Sequence, residues 1–411
     1  MDKKLLQTLE YVIHHSSFYK RHFNNINLAD FSIENFTSLP FTTKNDVAEF
    51  NDDFCCINPE SISEFVSTSG TSGEPITITL SKSDLERLAI NEATSLSKMG
   101  LDQTDTFQLL LTLDRQFMAG IAYYSGILRM GARVVRNGPG AMLNQWKSIE
   151  KIKPTVLIAV PSFISKLIEY ADKNAIDYSS SSVKVIVCIG EPIHDPDFSL
   201  NTLASKIARK WSVRLCSTYA STEMATAFYQ CEKNKGCHNN NDLLFTEVLD
   251  DKGDHVGNGE VGEVVITTLG VEGMPFVRYK TGDITTFWSD ECGCGESSFR
   301  IGPIQGRREQ MIKFRGTTIY PQNIFNALNS ISEVSEYFVE VVQDHITAKE
   351  IIIYLSEDDV MPSQLNSIAS TLNSLLRVTP RIELVTSAYI NKMLLQQRGR
   401  KKNRINFRQT L

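Results

Sequence analysis

The chain has 411 residues, 42% hydrophobic and 22% charged, with a formal net charge of -6. That length supports a large core and a smaller second one, and the acidic balance argues against a general nucleic-acid binder, which needs a basic face. The first residues lack the apolar core of a signal peptide, and no apolar run approaches the roughly 20 residues that cross a bilayer, so the expectation is a cytoplasmic protein with no membrane partner. There the eight cysteines are expected as thiols or metal ligands.

Leu5, Leu6, Leu9, Val12 and Ile13 recur at helical spacing and predict an amphipathic helix over about residues 3–15. Ser38-Leu39-Pro40-Phe41-Thr42-Thr43-Lys44 reads as a turn into a helix with a threonine N-cap. The stretch Ser67-Thr68-Ser69-Gly70-Thr71-Ser72-Gly73-Glu74-Pro75 is a hydroxyl-rich loop running into the alternating strand Ile76-Thr77-Ile78-Thr79-Leu80. Its glycines let backbone N–H groups approach an anion, and its hydroxyls add uncharged donors, a combination that suits phosphates. An ordinary polar turn is the plain alternative.

Beyond this loop, helices are expected at 83–99, 120–130, 146–153 and 162–173, and strands at 107–113, 133–135, 156–160 and 183–189, the last ending at Gly190-Glu191-Pro192. That alternation implies an α/β fold, a mainly parallel sheet with helices on both faces and a site at the carboxyl ends of the strands. From Glu247 onward, short strands and glycine turns predict an appended antiparallel β region. After Gly306-Arg307 a small α+β unit is expected, dividing the chain into a large N-terminal domain, 1–307, and a small mobile C-terminal domain, 308–411. Cys231, His238, Cys292 and Cys294 offer three thiolates and one imidazole, a donor set that suits tetrahedral zinc, with Cys237 competing for the place of His238.

With these loops placed, the chain resembles the adenylate-forming superfamily and, within it, the phenylacetate-coenzyme A ligase branch, over nearly its whole length. The resemblance rests on the hydroxyl-rich loop, Gly190-Glu191-Pro192, Tyr219-Ala220-Ser221-Thr222-Glu223, Arg278-Tyr279-Lys280-Thr281-Gly282-Asp283, and Gly306-Arg307 through Arg315-Gly316, in that order. It implies a nucleotide site made of Ser67, Thr68, Ser69, Gly70 and Thr71, of Gly190, Glu191 and Pro192, and of Tyr219, Ala220, Ser221 and Thr222. Tyr219 would lie on adenine, Thr222 would donate to the α-phosphate and Glu223 would hold magnesium. Asp283 would accept the ribose hydroxyls, Arg307 would bring charge to the nucleotide, and Glu309 would sit at the domain pivot. The family's cysteine loop has its histidine at the position of His238. Near the C-terminus Lys401 best matches the family's catalytic lysine, with Lys402 as runner-up. Two departures are Glu74, where relatives often carry Lys, and Ala220, where many have Gly.

The implied activity is ATP-dependent activation of a carboxylic acid to an acyl adenylate, with release of pyrophosphate and transfer to the thiol of coenzyme A. Phe117, Ala119, Gly120, Tyr123 and Tyr124 fall where relatives build the acyl pocket and favour an aromatic or other compact apolar acid. ATP, Mg2+, coenzyme A and structural Zn2+ are the expected cofactors. An acyl carrier protein or an amine as acceptor, a non-catalytic nucleotide-binding relative, and a homodimer are held open.

Overall fold

A computed structural model describes residues 2–26, 32–68, 75–296, 299–314, 317–344, 347–395 and 404–409. The described chain forms two compact units, one built from Met1–Thr68, Ile76–Thr281 and Thr285–Ile304, the other from Gly282–Ile284 and Gln305–Leu411. No described helix is long and apolar enough to cross a membrane.

In the first unit, strands Arg133–Arg136, Thr106–Leu109, Val156–Ala159, Val185–Cys188 and Arg214–Ser221 lie side by side in that order and pair in parallel. Every residue of Val156–Ala159 and Val185–Cys188 is buried, as expected of parallel strands covered on both faces. Successive side chains go to opposite sides. Leu157, Ala159, Ile186 and Cys188 join one core with Trp146, Leu167 and Ile207 from the helices Met142–Ile152, Pro161–Lys173 and Thr202–Lys210. Val156, Ile158, Val185 and Val187 join another with Leu96, Tyr123 and Ile127, from the helices Lys82–Lys98 and Met118–Arg129.

The antiparallel region is continuous with this sheet. Arg214–Ser221 pairs in parallel with Val185–Cys188 on one side and antiparallel with Thr226–Gln230 on the other. From there the sheet runs through Cys237–His238, Arg300–Ile301, Tyr279–Trp288, Val261–Thr268 and Leu244–Leu249. A two-residue period states which face a side chain takes and not which strand lies alongside, so the join is not readable from the sequence. Ahead of the parallel strands stand the amphipathic helix Asp2–His15 and the helix Lys44–Glu49, the latter capped by Thr43 and Asp46 in a reciprocal capping box. The expected strand 107–113 ends at Leu109, and the chain turns through Arg115 and Gln116 at φ of 57° and 56°. The helix expected from 146 begins at Met142 and stops at Lys153, which takes the left-handed conformation.

The second unit is α+β. Strands Thr317–Ile319, Ile312–Phe314, Thr347–Ser356, Tyr337–Asp344 and Ile405–Gln409 follow one another across its sheet, and Arg381–Val385 also pairs with Thr347–Ser356. Helices Pro321–Asn329 and Leu365–Leu376 contribute Ile324, Leu328, Ile368 and Leu372 to a core shared with Val339, Ile351 and Leu355.

Candidate active site and metal centre

The carboxyl ends of the parallel strands gather most of the residues singled out in the first unit. After Val185–Cys188 the chain turns at Gly190, whose φ is +71°. The Glu191 carboxylate accepts from the Ser162 backbone N–H at 2.9 Å and from the Ser162 hydroxyl at 2.8 Å. It thus caps the helix Pro161–Lys173 and ties two strand-end loops together. At the next strand the Thr218 hydroxyl donates to the Cys188 carbonyl and accepts from the Tyr123 hydroxyl, both at 3.2 Å.

Arg214–Ser221 then delivers Tyr219, Ala220 and Ser221 to a tight turn. Register pairs Tyr219 with Phe228, Ala220 with Ala227 and Ser221 with Thr226, leaving residues 222–225 to reverse the chain. Ser221 Oγ accepts from the Met224 N–H at 3.3 Å, and Ala225 adopts φ +49°. Thr222 and Glu223 are therefore held half-buried at the tip of a short, hydrogen-bonded turn. Glu223 Oε1 accepts a hydrogen bond from the Tyr279 hydroxyl at 3.2 Å. A carboxylate on a pinned turn, with one oxygen oriented by a phenol, has the hard oxygen donor that magnesium requires.

Tyr279 was not singled out for a role in the sequence, and neither was the clamp beside it. Arg278, at φ +44° and 2% exposed, makes a two-pronged ion pair with Glu247, at 3.1 and 2.9 Å, and donates to the Leu39 carbonyl at 2.6 Å. The Phe41 ring lies 4.3 Å from its guanidinium. One signal was present: Glu247 sits in the apolar run Leu244–Leu249, where a buried carboxylate needs a partner.

Of the five residues expected at an acyl pocket, Phe117, Ala119 and Tyr124 are partly exposed, whereas Gly120 and Tyr123 are buried. A Cβ on Gly120 would lie 2.2 Å from the Thr112 carbonyl oxygen, so this glycine lets the helix Met118–Arg129 press against the segment before it. Burial raises the Tyr123 phenol well above its ordinary range and keeps it neutral. Behind Tyr123, Glu92 is 3% exposed, and burial pushes its carboxyl up to about 7. Arg136 stacks on Tyr124 at 5.2 Å.

Ser67 and Thr68, at the start of the hydroxyl-rich loop, are buried. The Thr68 hydroxyl accepts from the Ile76 N–H at 3.0 Å and closes the neck of the loop, while the Ser67 N–H donates to the Gln116 carbonyl at 3.0 Å. Ser69, Gly70, Thr71 and Glu74 lie outside the described residues, as do Lys401 and Lys402. In the second unit Asp283 and Arg307 are brought together: they are directly opposed in register, and Arg307 Nε donates to Asp283 Oδ1 at 3.1 Å.

Cys231, His238, Cys292 and Cys294 converge, with their donor atoms all within 4.8 Å of one another and three of the four residues buried. Cys231 Sγ lies 3.4 Å from Cys292 Sγ, and Cys294 Sγ lies 3.5 Å from His238 Nε2. A tetrahedral ion with bonds of about 2.3 Å to sulfur separates its ligands by about 3.8 Å, so this donor set fits such an ion. Cys237 and His238 are adjacent on one strand and so point to opposite faces. Cys237 enters a hydrophobic core cluster, and His238 is the one of the two that stands with the three other donors. Gly236, at φ +96°, turns the chain where a Cβ would come within 2.7 Å of the Ile301 carbonyl oxygen. Arg300 fixes the opposing loop by two 2.7 Å hydrogen bonds to Asp290. Tyr229 lies against the His238 ring and donates to Glu296, which also pairs with Lys98.

The sequence profile of the AMP-binding enzyme family matches residues 22–273, and the chain belongs to that family. The chain is 27% identical over 363 residues to a phenylacetate-coenzyme A ligase of Thermus thermophilus, covering 85% of this chain and 79% of that one. It is 24% identical over 369 residues to a phenylacetate-coenzyme A ligase of Escherichia coli, covering 87% and 82%. In fold it is similar to 2-hydroxyisobutyryl-CoA ligase in complex with 2-HIB-AMP, with a TM-score of 0.85 and 22% identity over 98% of this chain and 88% of the other.

Proposed function

We propose that this chain is an AMP-forming acid-thiol ligase that activates a carboxylic acid, of aromatic, phenylacetate-like character, and passes the acyl group to coenzyme A. The observation that carries the reading is the end of Arg214–Ser221 with the turn after it, where Tyr219, on the strand, and Thr222 and Glu223, in the turn, stand at the carboxyl edge of the sheet in a member of the AMP-binding family. A carboxylate oxygen attacks the α-phosphorus of ATP, the bond from that phosphorus to the bridging oxygen breaks, and pyrophosphate leaves. The thiolate sulfur of coenzyme A then attacks the acyl carbon, the bond to the phosphate oxygen breaks, and AMP leaves with the electron pair.

In this reading Tyr219 stacks on adenine, Thr68 and Thr222 donate to phosphate oxygens, and Asp283 and Arg307 take the ribose and the nucleotide charge. When bound, magnesium on Glu223 supplies positive charge where negative charge develops on the phosphates. Lys401 is assigned the ammonium that stabilises the same charge, with residues 308–411 as the domain that carries it. Phe117, Ala119 and Tyr124 face the acid, backed by Gly120 and Tyr123. The Cys231, His238, Cys292 and Cys294 cluster takes zinc as a structural staple, a use that suits a reducing cytoplasm. Incubation with ATP, Mg2+, phenylacetate and coenzyme A, followed by mass spectrometry, is expected to yield AMP and the acyl thioester. Adenylate accumulating until an acyl carrier protein or an amine is supplied would move the acceptor away from coenzyme A.

A further inference from the structure

The strand that begins at Tyr279 is anchored at that end by side chains as well as by its sheet neighbours. Val277 donates its N–H to the Tyr19 hydroxyl at 2.9 Å, and the Thr42 hydroxyl donates to the Val277 carbonyl at 2.8 Å. Thr42 also accepts the Lys280 N–H and donates its own N–H to the Arg278 carbonyl. Arg278 donates its backbone N–H to Thr267 Oγ1 at 2.9 Å and locks its side chain into the Glu247, Leu39 and Phe41 cage. It does so at φ +44°, a conformation uncommon for a non-glycine residue that persists only when the surroundings over-determine it. Directly beyond this clamp stands Tyr279, 2% exposed, its ring against Phe276 and its hydroxyl on Glu223.

We propose that Tyr279 is a positioning residue that orients the Glu223 carboxylate toward the metal bound with ATP, and that the Arg278–Glu247 clamp exists to aim Tyr279. The inference rests on the reading of Glu223 as the metal-holding carboxylate. Two features favour a directed role over ordinary core packing. A tyrosine buried only for its ring would be served as well by phenylalanine, and its hydroxyl instead ends on the one acidic residue of the turn. A carboxylate on a turn tip can also rotate about its own bonds, and a donor fixed from a separate strand removes that freedom without adding charge. Partners that orient metal ligands in this way typically contribute about 10- to 100-fold in metal affinity.

The test is a metal titration of wild type, Tyr279→Phe, Glu223→Gln and the double variant. Mn2+ binding to each enzyme–ATP complex without acid is followed by electron paramagnetic resonance, alongside the Mg2+ midpoint of pyrophosphate exchange. Midpoints rather than amplitudes are compared, so a fraction of unfolded protein does not alter the outcome. Tyr279→Phe is expected to raise the metal midpoint about tenfold or more, with metal-free ATP binding unchanged. Added to Glu223→Gln it should cause no further shift, because it acts through that carboxylate. An unchanged midpoint in Tyr279→Phe, or equal shifts with and without Glu223, overturns the inference while leaving Glu223 as the metal residue. No shift in Glu223→Gln itself overturns the reading on which it rests.

Discussion

The thiol cluster and the Tyr219–Glu223 turn hang from opposite ends of the same short strand. Thr226 pairs with Ser221 at the turn, and Gln230 pairs with Cys237 beside the cluster. The cluster is built of side chains with almost no other use at such spacing, three of its four residues being buried. The turn is built of common residues, half-exposed, whose meaning comes from the backbone that aims them. The cluster is thus closed and self-defining, whereas the turn is left open and takes its order from neighbours such as Tyr279.

Breaking each end separately sharpens this contrast. The largest effect is expected at the turn. Glu223→Gln keeps size but removes the charge, so adenylation should fall on the order of 100-fold or more with little change in Tm. Stopped-flow or quenched-flow measurement of adenylate formation checks it, and loss of fold without loss of metal dependence would make Glu223 a structural residue. At the other end, Cys292→Ser together with Cys294→Ser should take metal content from about one ion per chain to near zero. Tm should drop first and activity only as a consequence. Elemental analysis and calorimetry decide it: full metal content in the variant removes the staple.

The smallest effect concerns Glu92, which packs against the helix Met118–Arg129 so closely that a Cβ on Gly126 would lie 2.4 Å from its own Cβ. Burial raises its carboxyl from an ordinary 4.5 to about 7. Because the folded state holds the proton more tightly, the stabilisation is complete below the unfolded value and is lost as pH rises through about 7. Glu92→Gln should therefore raise Tm by about a few degrees at pH 8 and converge with wild type in acid. Melting curves that stay parallel from acid to pH 8 would assign the carboxyl an ordinary titration.

Much of this architecture is legible in the sequence where one residue type or one period fixes the answer. Val156–Ala159 reads as a covered strand, Thr43 with Asp46 announces a cap, and cysteines at 231, 292 and 294 with His238 announce a convergence of donors able to hold a metal. What escapes depends on pairing across long separations. Glu247 meets Arg278 at 31 residues' distance and Glu223 meets Tyr279 at 56, through strand registers that no local pattern encodes. The nine-residue helix Thr202–Lys210 buries little beyond Ala204 and Ile207 and so shows too short a stripe to read. Gly120 and Tyr123 lie on a helix that the sequence announces, yet only packing reveals that they sit behind its surface.

The reaction assigned to the carboxyl edge of this sheet is the joining of a carboxylic acid to AMP. Exchange of labelled pyrophosphate into ATP reports that step alone, without any acceptor thiol. Exchange is expected to require both Mg2+ and an added acid, to be strongest with arylacetic or benzoic acids, and to fall on the order of 100-fold or more in Glu223→Gln. Exchange absent with every aryl and short alkyl acid, in protein that still binds ATP, would contradict it and leave a nucleotide-binding protein without turnover.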